Sequence, residues 1–361
     1  VVEVTGGVVA LQSGSNSHDS TLVRSGATLA AGADNVLGAG GLTLDGGTLS
    51  ATAGFDTART VVVQTAGSIE VGGGGARTLR LDGLVSGGAL TKTGSGVLAL
   101  TNTGNSHAST VVSGGTLQVA ADAALGNGSL TLDGGTLQST AAVDTVSTRA
   151  LVLGTGGGTV QLDNAVLLRL DGAVSETTAA AATLGGAALA TAGAGTLALA
   201  NAANAYRGGT TIGAGGTLQL SASGAAGTGT IALGANTLDI TNAAQIANLV
   251  TVTDGAVISS STGGGTLTNA QPLALVAGTL KLAGGANSTL QVARELRGDA
   301  SAGQVVEVTG GVVALQAANS QDGTTVSGGT LRLSASGAAG TGTIALGANT
   351  LDITNAAQIA N

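Results

Sequence analysis

Three sets of residues have types and spacings that could do chemistry. Arg297-Gly298-Asp299 sits in QVARELRGDAS, the most densely charged stretch of the chain. A guanidinium and a carboxylate separated by one glycine at an exposed corner would form the tripeptide signal that integrin receptors read. The competing reading is structural. LRLDGLVSG (79–87) and LRLDGAVS (168–175) fill the corresponding slot elsewhere in the chain, and there Arg, Asp and Gly recur as corner residues. The second set is His18 and His107, the only two histidines, both in Asn-Ser-His. They are 89 residues apart, and metal ligands must all lie about 2 Å from one ion, so they do not form a shared site. With Tyr206 and Gln321 in the same place, they read as a corner beside Asn16, Asn105, Asn204 and Asn319. The third set is the 20 carboxylates. Six of them precede a glycine (Asp45, Asp82, Asp133, Asp171, Asp254, Asp322), where Asp bonds the local backbone and Gly takes positive φ. Glu3, Glu70, Glu176, Glu295 and Glu307 are scattered. No catalytic, cofactor-binding or metal-ligating set emerges, and no cofactor is expected. A phosphate-binding loop, a G-x-S-x-G elbow and a calcium nonapeptide are all missing from the sequence.

The elements that would hold these residues come from a repeat. TVVSGGTLQVAADAALGNGSLTLDGGTL (110–137) has counterparts at 21–49, 210–238 and 324–351. Its hook is a glycine, a threonine and a leucine: Gly26, Thr28, Leu29; Gly115, Thr116, Leu117; Gly216, Thr217, Leu218; Gly329, Thr330, Leu331. Apolar residues alternate with polar ones after each hook and are interrupted by Gly, Asn or Asp, which signals strands and turns. A unit of this kind repeated along one chain makes a solenoid. The hook leucines are 88, 101 and 113 residues apart, so the modules lengthen while the hook stays constant. We expect modules at about 1–86, 87–184, 185–303 and 304–361 of one elongated body. Between hooks lie strands expected to be three to five residues long, including VVVQ from Val61 and SIEV from Ser68. An Ala-rich stretch at 177–190 has the composition of a helical turn. Strands so short and so close in sequence cannot form βαβ crossovers, but they can coil in parallel. With roughly 20 to 25 residues per turn and a rise of ~4.8 Å, the chain would make roughly 15 to 18 turns.

Composition narrows the choice. The 64 glycines suggest disorder, but 43% apolar residues in regular spacing argue for burial. With one Phe, one Tyr and no Trp, the core must be filled by stacked aliphatic residues, which suits a narrow coil. A chain without cysteine takes its stability from stacking and can cross a membrane unfolded. A net charge of -8 opposes nucleic-acid binding, and no apolar run is long enough for a membrane span. Residues 1–12 recur unchanged at 305–316, and 221–248 recur at 334–361, so the chain reads as a window on a longer array.

The run LTKTGSGVLALTNTGNSHASTVVSGGTLQVAADAALGNGSLTLDGGTL (90–137) resembles the passenger-associated transport repeat of bacterial autotransporters. It has the Leu-Thr-Lys-x-Gly opening, the Gly-Gly-Thr-Leu hook and the Leu-Gly-x-Gly segment, although His107 stands where that repeat has Tyr and only Tyr206 keeps it. The resemblance implies a right-handed parallel β-helix, exported through a C-terminal barrel and displayed on the bacterial surface, with repeats that aid secretion and folding. Nothing here has the aromatic girdles of that barrel. The expected role is a stalk or adhesin scaffold that meets a surface receptor, or self-associates, without catalysis. The alternatives are a subunit of an extracellular fibre and, third, a polysaccharide-acting β-helix enzyme.

Overall fold

The computed structural model describes residues 1–12, 14, 16–140, 145–178, 180, 185–268, 271–276, 278–298, 303–354 and 357–359. It is all-β, with parallel strands stacked as a β-solenoid of about 16 turns. Two compact units divide it: Val1–Leu168 with Ser175–Ala187, and Arg169–Val174 with Ala188–Asn361.

In the first unit one sheet stacks Val2–Val4, Thr21–Arg24, Leu42–Asp45, Val61–Val71, Val85–Thr93, Ser106–Val112, Leu130–Leu132 and Leu151–Leu153, all in parallel. A second sheet runs from Phe55–Thr57 through Thr78–Leu81, Val97–Leu100, Thr116–Val119 and Thr136–Ser139 to Gly158–Leu162. Thr78, Val97, Thr116, Thr136 and Thr159 share one ladder, so the steps are 19, 19, 20 and 23 residues. In the second unit one ladder carries Thr217–Leu220, Thr237–Ile240 and Val257–Ser260. Another carries Thr289–Val292, Val312–Leu315, Thr330–Leu333 and Thr350–Ile353.

Alternation decides which side chains enter the coil. Leu29, Leu117, Leu218 and Leu331 are fully buried, and Leu44, Leu132 and Leu233 stack in the strands that follow the first three. The hook threonines stand on the outer face and pair in register with Thr48, Thr136, Thr237 and Thr350 one turn later. Positive φ supplies the hook turn at Gly26, Gly115 and Gly329, whereas in the third copy Gly215 carries it in place of Gly216.

Two expectations need correction. VVVQ and SIEV are one strand, Val61–Val71, of 11 residues, and Val85–Thr93 has nine. Gly67, which separates VVVQ from SIEV in sequence, lies inside the strand, where a Cβ would stand 2.6 Å from the Leu44 Cβ. It is there for close packing. Val61–Val71 pairs with Leu42–Leu44 at one end and Thr48–Ala51 at the other, so it serves two faces of the coil. The Asp-Gly pairs also differ from expectation. Gly46, Gly134 and Gly255 have positive φ, but Gly83 does not, and a Cβ there would strike the Arg59 carbonyl. Several of the aspartates bond to an adjacent turn instead of locally. Asp133 accepts from the Gly156 amide at 2.8 Å, Asp254 from the Thr279 amide at 2.8 Å, and Asp322 from the Gln304 amide at 3.1 Å. Of the Ala-rich stretch, 179 and 181–184 lie outside the described residues, and its last two residues open the strand Leu189–Ala192.

Candidate functional site: a corner repeated in four modules

The asparagines singled out in the sequence occupy one corner of the coil. Asn105 is 5% exposed; its Oδ1 accepts the Val85 amide at 2.8 Å and its Nδ2 donates to the Ala124 carbonyl at 2.8 Å. Val85 is one turn earlier and Ala124 one turn later, so a single side chain ties three successive turns. Asn204 does the same between Val174 and Ala225, at 2.7 and 2.6 Å. Asn319 does it between Leu296 and Ala338, at 2.8 and 2.6 Å, and Asn16 donates to Val36 at 2.7 Å. A primary amide suits this place because it carries an acceptor and a donor on one short rigid group.

Two residues further on, the variable position bonds a threonine. His18 reaches Thr21 at 2.7 Å, His107 reaches Thr110 at 2.8 Å, Tyr206 reaches Thr210 at 2.7 Å, and Gln321 reaches Thr324 at 3.0 Å. In three copies the threonine hydroxyl in turn donates to the carbonyl of Leu37, Leu125 or Ala339. Tyr206 is fully buried, and burial pushes its phenol up to about 12, so it stays neutral. His18 and His107 thus serve separate corners. Among the described residues no group of three or more His, Cys, Asp or Glu is placed to hold a metal.

Sequence reasoning missed the arginine that closes the corner. In the first unit Asp34 and Asp122 open 3-10 turns, Asp34–Leu37 and Asp122–Leu125. From one turn later, Arg59 bonds Asp34 at 2.8 Å and the Gly40 carbonyl at 2.8 Å. Arg149, whose side chain is 9% exposed, bonds Asp122 at 3.3 Å, the Gly126 carbonyl at 2.7 Å and the Gly128 carbonyl. In the second unit Asn248 takes this role, donating to Gly227 and Gly229 at 3.1 and 2.7 Å. The available signal was the recurrence of Asp34/Arg59 and Asp122/Arg149 at separations of 25 and 27 residues. We expect Arg149→Ala to cost about 2–4 kcal/mol, because three carbonyls and a carboxylate lose their donor. Arg80→Ala, which breaks an exposed pair with Asp82, should cost less than about 1 kcal/mol. Urea unfolding of both variants checks this, and Arg149→Asn should recover part of the loss.

Lys92 was quoted only as part of a motif, yet it is fully buried. Its Nζ donates to the carbonyls of Thr93, Gly94 and Gly114 at 2.7, 2.8 and 3.2 Å. Burial brings the ammonium down to about 8, opposed by the Glu70 charge.

The stretch around Arg297 runs in register with LRLDGLVSG, but its Arg-Gly pair does not fall on Arg80, Asp82 and Gly83 of that segment. Because Leu296 bonds Asn319 as Val85 bonds Asn105, Arg294 takes the place of Gly83 and Gly172. Arg297 and Gly298 therefore align with Ser86 and Gly87, six residues beyond Arg80 and four beyond Gly83. The Arg297 side chain is 58% exposed and pairs with Glu295 at 2.9 Å, and the Gly298 amide reaches the Ser320 hydroxyl at 3.2 Å. Asp299 lies outside the described residues. Arg294 is buried and donates to the Asn248 carbonyl at 2.8 Å; burial brings its guanidinium down to about 10.

Among the described residues the asparagines and arginines of these corners link one turn to another. The class so defined is a parallel β-solenoid with a repeated locking corner. The passenger-associated transport repeat matches residues 90–119, 189–220 and 310–333. Each matched segment crosses the asparagine corner and ends on the hook strand. The adhesin BmaC autotransporter of Brucella suis biovar 1 (strain 1330) is 44% identical over 90 residues, which cover 24% of this chain and 3% of that protein. The chain thus matches a small fraction of that relative's length. No solved structure matches it. Three passenger-associated transport repeats on a parallel β-solenoid make this chain similar to autotransporter passengers. Among the described residues no helix is long and apolar enough to cross a membrane.

Proposed function

We propose that the chain is a rigid, non-enzymatic stalk within an autotransporter adhesin, and that its corners drive folding once the chain has left the cell. The observation that carries this reading is the asparagine corner, whose amide accepts from the turn before and donates to the turn after. A completed turn thereby presents partners for the next, so folding propagates along the coil. The four modules, at about 1–86, 87–184, 185–303 and 304–361, belong to the same reading and are supported by one such corner in each. The Arg297-Gly298-Asp299 tripeptide is the proposed receptor contact. Its support is the exposed Arg297 beyond the corner, in a module whose sequence departs there from the others.

Adhesion of cells displaying the full protein to immobilised integrin ectodomains tests the contact. Arg297→Ala and Asp299→Ala should each reduce binding at least tenfold while surface display stays unchanged. Equal binding by both variants would remove the tripeptide from the reading and leave the stalk. Loss of surface display in Asn105→Ala, Asn204→Ala and Asn319→Ala tests the stalk itself.

A further inference from the structure

We propose that the His107 corner is an acid-sensitive latch: above neutral pH it holds three turns of the first unit together, and protonation of the ring releases it. The corners of the second unit serve as its built-in controls.

The direction of two hydrogen bonds sets the protonation of the ring. The Thr110 hydroxyl donates to the Leu125 carbonyl at 3.2 Å, so its lone pair must face His107 Nε2 at 2.8 Å. The ring is therefore the Nε2–H tautomer, and Nδ1 carries a lone pair. That nitrogen is buried and has no hydrogen-bond partner among the described residues. In the fourth copy Gln321 makes the same contacts through Nε2, to Thr324 at 3.0 Å and the Ala339 carbonyl at 3.1 Å, and its Oε1 is likewise buried and unpartnered. The slot thus demands one donor to the threonine and leaves the second heteroatom idle. An amide oxygen stays neutral there, and so does the phenol of Tyr206. An imidazole nitrogen is different, because it takes a proton in the acid range.

A proton on Nδ1 would find no side-chain acceptor among the described residues, and only the Val85 backbone draws it toward the ring. Gly126 packs against the ring so closely that a Cβ on it would stand 2.8 Å from Nδ1 and Cε1. Arg149 approaches from the following turn, and Asp122 of the 3-10 turn is already bound to it. On the strand paired with that of His107, Lys92 is held by three carbonyls, and before that strand Asp82 is held by Arg80 and Thr101. Both of these carboxylates are already committed to other partners. Burial holds the ring below the ordinary histidine value, and the Arg149 charge adds to this, against an opposing pull from the Val85 backbone. The sign follows from linkage. A folded-state affinity below the unfolded one means that the unfolded chain binds the extra proton, so stability is complete above about pH 6.5 and declines as the pH falls below it.

Hydrogen exchange on the full chain at pH 7.5 and 5.0, corrected for intrinsic rates, reads the latch directly. Acidification should raise exchange of amides 106–112 and 122–130 at least tenfold, and leave 210–212, 231–233 and 323–326 within about twofold. His107→Gln, which copies the Gln321 corner, should abolish the acid response. An equal acid response in His107→Gln, or one shared by both units, would overturn the proposal. If that variant does not fold, the ring can be followed by NMR in the parent chain. Titration at or above the ordinary histidine value, with amide protection retained, would overturn the proposal too.

Discussion

Replacing Asn105 by alanine should open the coil locally and cost about 2–5 kcal/mol. The substitution removes little apolar surface, so the loss comes from two backbone groups left behind. The Val85 amide and the Ala124 carbonyl are both tied to this side chain, at 2.8 Å each, and Val85 and Ala124 are buried. A buried donor or acceptor stripped of its partner costs about 1–3 kcal/mol. Asn105→Asp keeps the acceptor for Val85 but loses the donor to Ala124 and buries a carboxylate, so it should do no better than alanine. Asn127→Ala is the control, since Asn127 is exposed and its contact with the Ser106 carbonyl is long, at 3.3 Å; its cost should stay within about 0.5 kcal/mol. A stacked array unfolds in neighbouring segments, so hydrogen exchange of amides 85–93, 106–112 and 122–130 is the appropriate measurement. Unchanged protection in Asn105→Ala would mean that the corner merely accompanies the fold.

How much of this was legible in the sequence depends on how far apart the partners are. The alternation of Leu117 with Val119 and of Leu130 with Leu132 reports on neighbours two residues along, and it gave the strands and their buried faces. The hook gave the register, because Thr116 and Leu117 meet Thr136 and Leu137 on the next turn. The polar network was harder to read. Arg149 meets Asp122 from 27 residues away, and Asp133 meets the Gly156 amide from 23. Those pairings depend on the length of each turn, which varies. Asp133-Gly134 therefore looks like a local turn while its carboxylate serves another rung. Gly67 misled for a related reason, since its task is to admit Leu44 from the strand beneath. The asparagine corner was visible as a position because Asn16, Asn105, Asn204 and Asn319 recur. Its chemistry was not, because both partners of each amide are main-chain groups.

The variable residue in the corner shows what the solenoid holds fixed and what it leaves open. Every copy keeps asparagine, which bonds the backbone, and threonine, which does so in three of them. The slot between them accepts imidazole, phenol or amide, provided that the group bonds the threonine. Variation in that slot changes how a module responds to its surroundings without changing its register. The arginine clamp tolerates exchange on the same terms, because Asn248 supplies donors to the same two carbonyl positions as Arg149, with no charge.

Lys92→Met should be the second large loss, about 2–4 kcal/mol at pH 7, and its pH dependence separates the two opposing effects. Methionine preserves the apolar stem, so the change removes the ammonium alone. Against the variant stand the carbonyls of Thr93, Gly94 and Gly114, which lose a donor that satisfied all three at once. In its favour stands relief from burying a charge, the cause that brings the ammonium down to about 8. Three charge-assisted bonds outweigh that relief, because each N–H of the ammonium has its own acceptor. The folded group gives up its proton near 8 and the unfolded one near its ordinary value of 10.5. Between those values the unfolded chain binds more protons, so the parent should gain stability as pH rises, whereas Lys92→Met lacks this contribution. Urea unfolding at pH 7, 8.5 and 10 measures both. A methionine variant more stable than the parent at pH 7 would show that desolvation dominates and that the lysine is retained for something other than holding the turn.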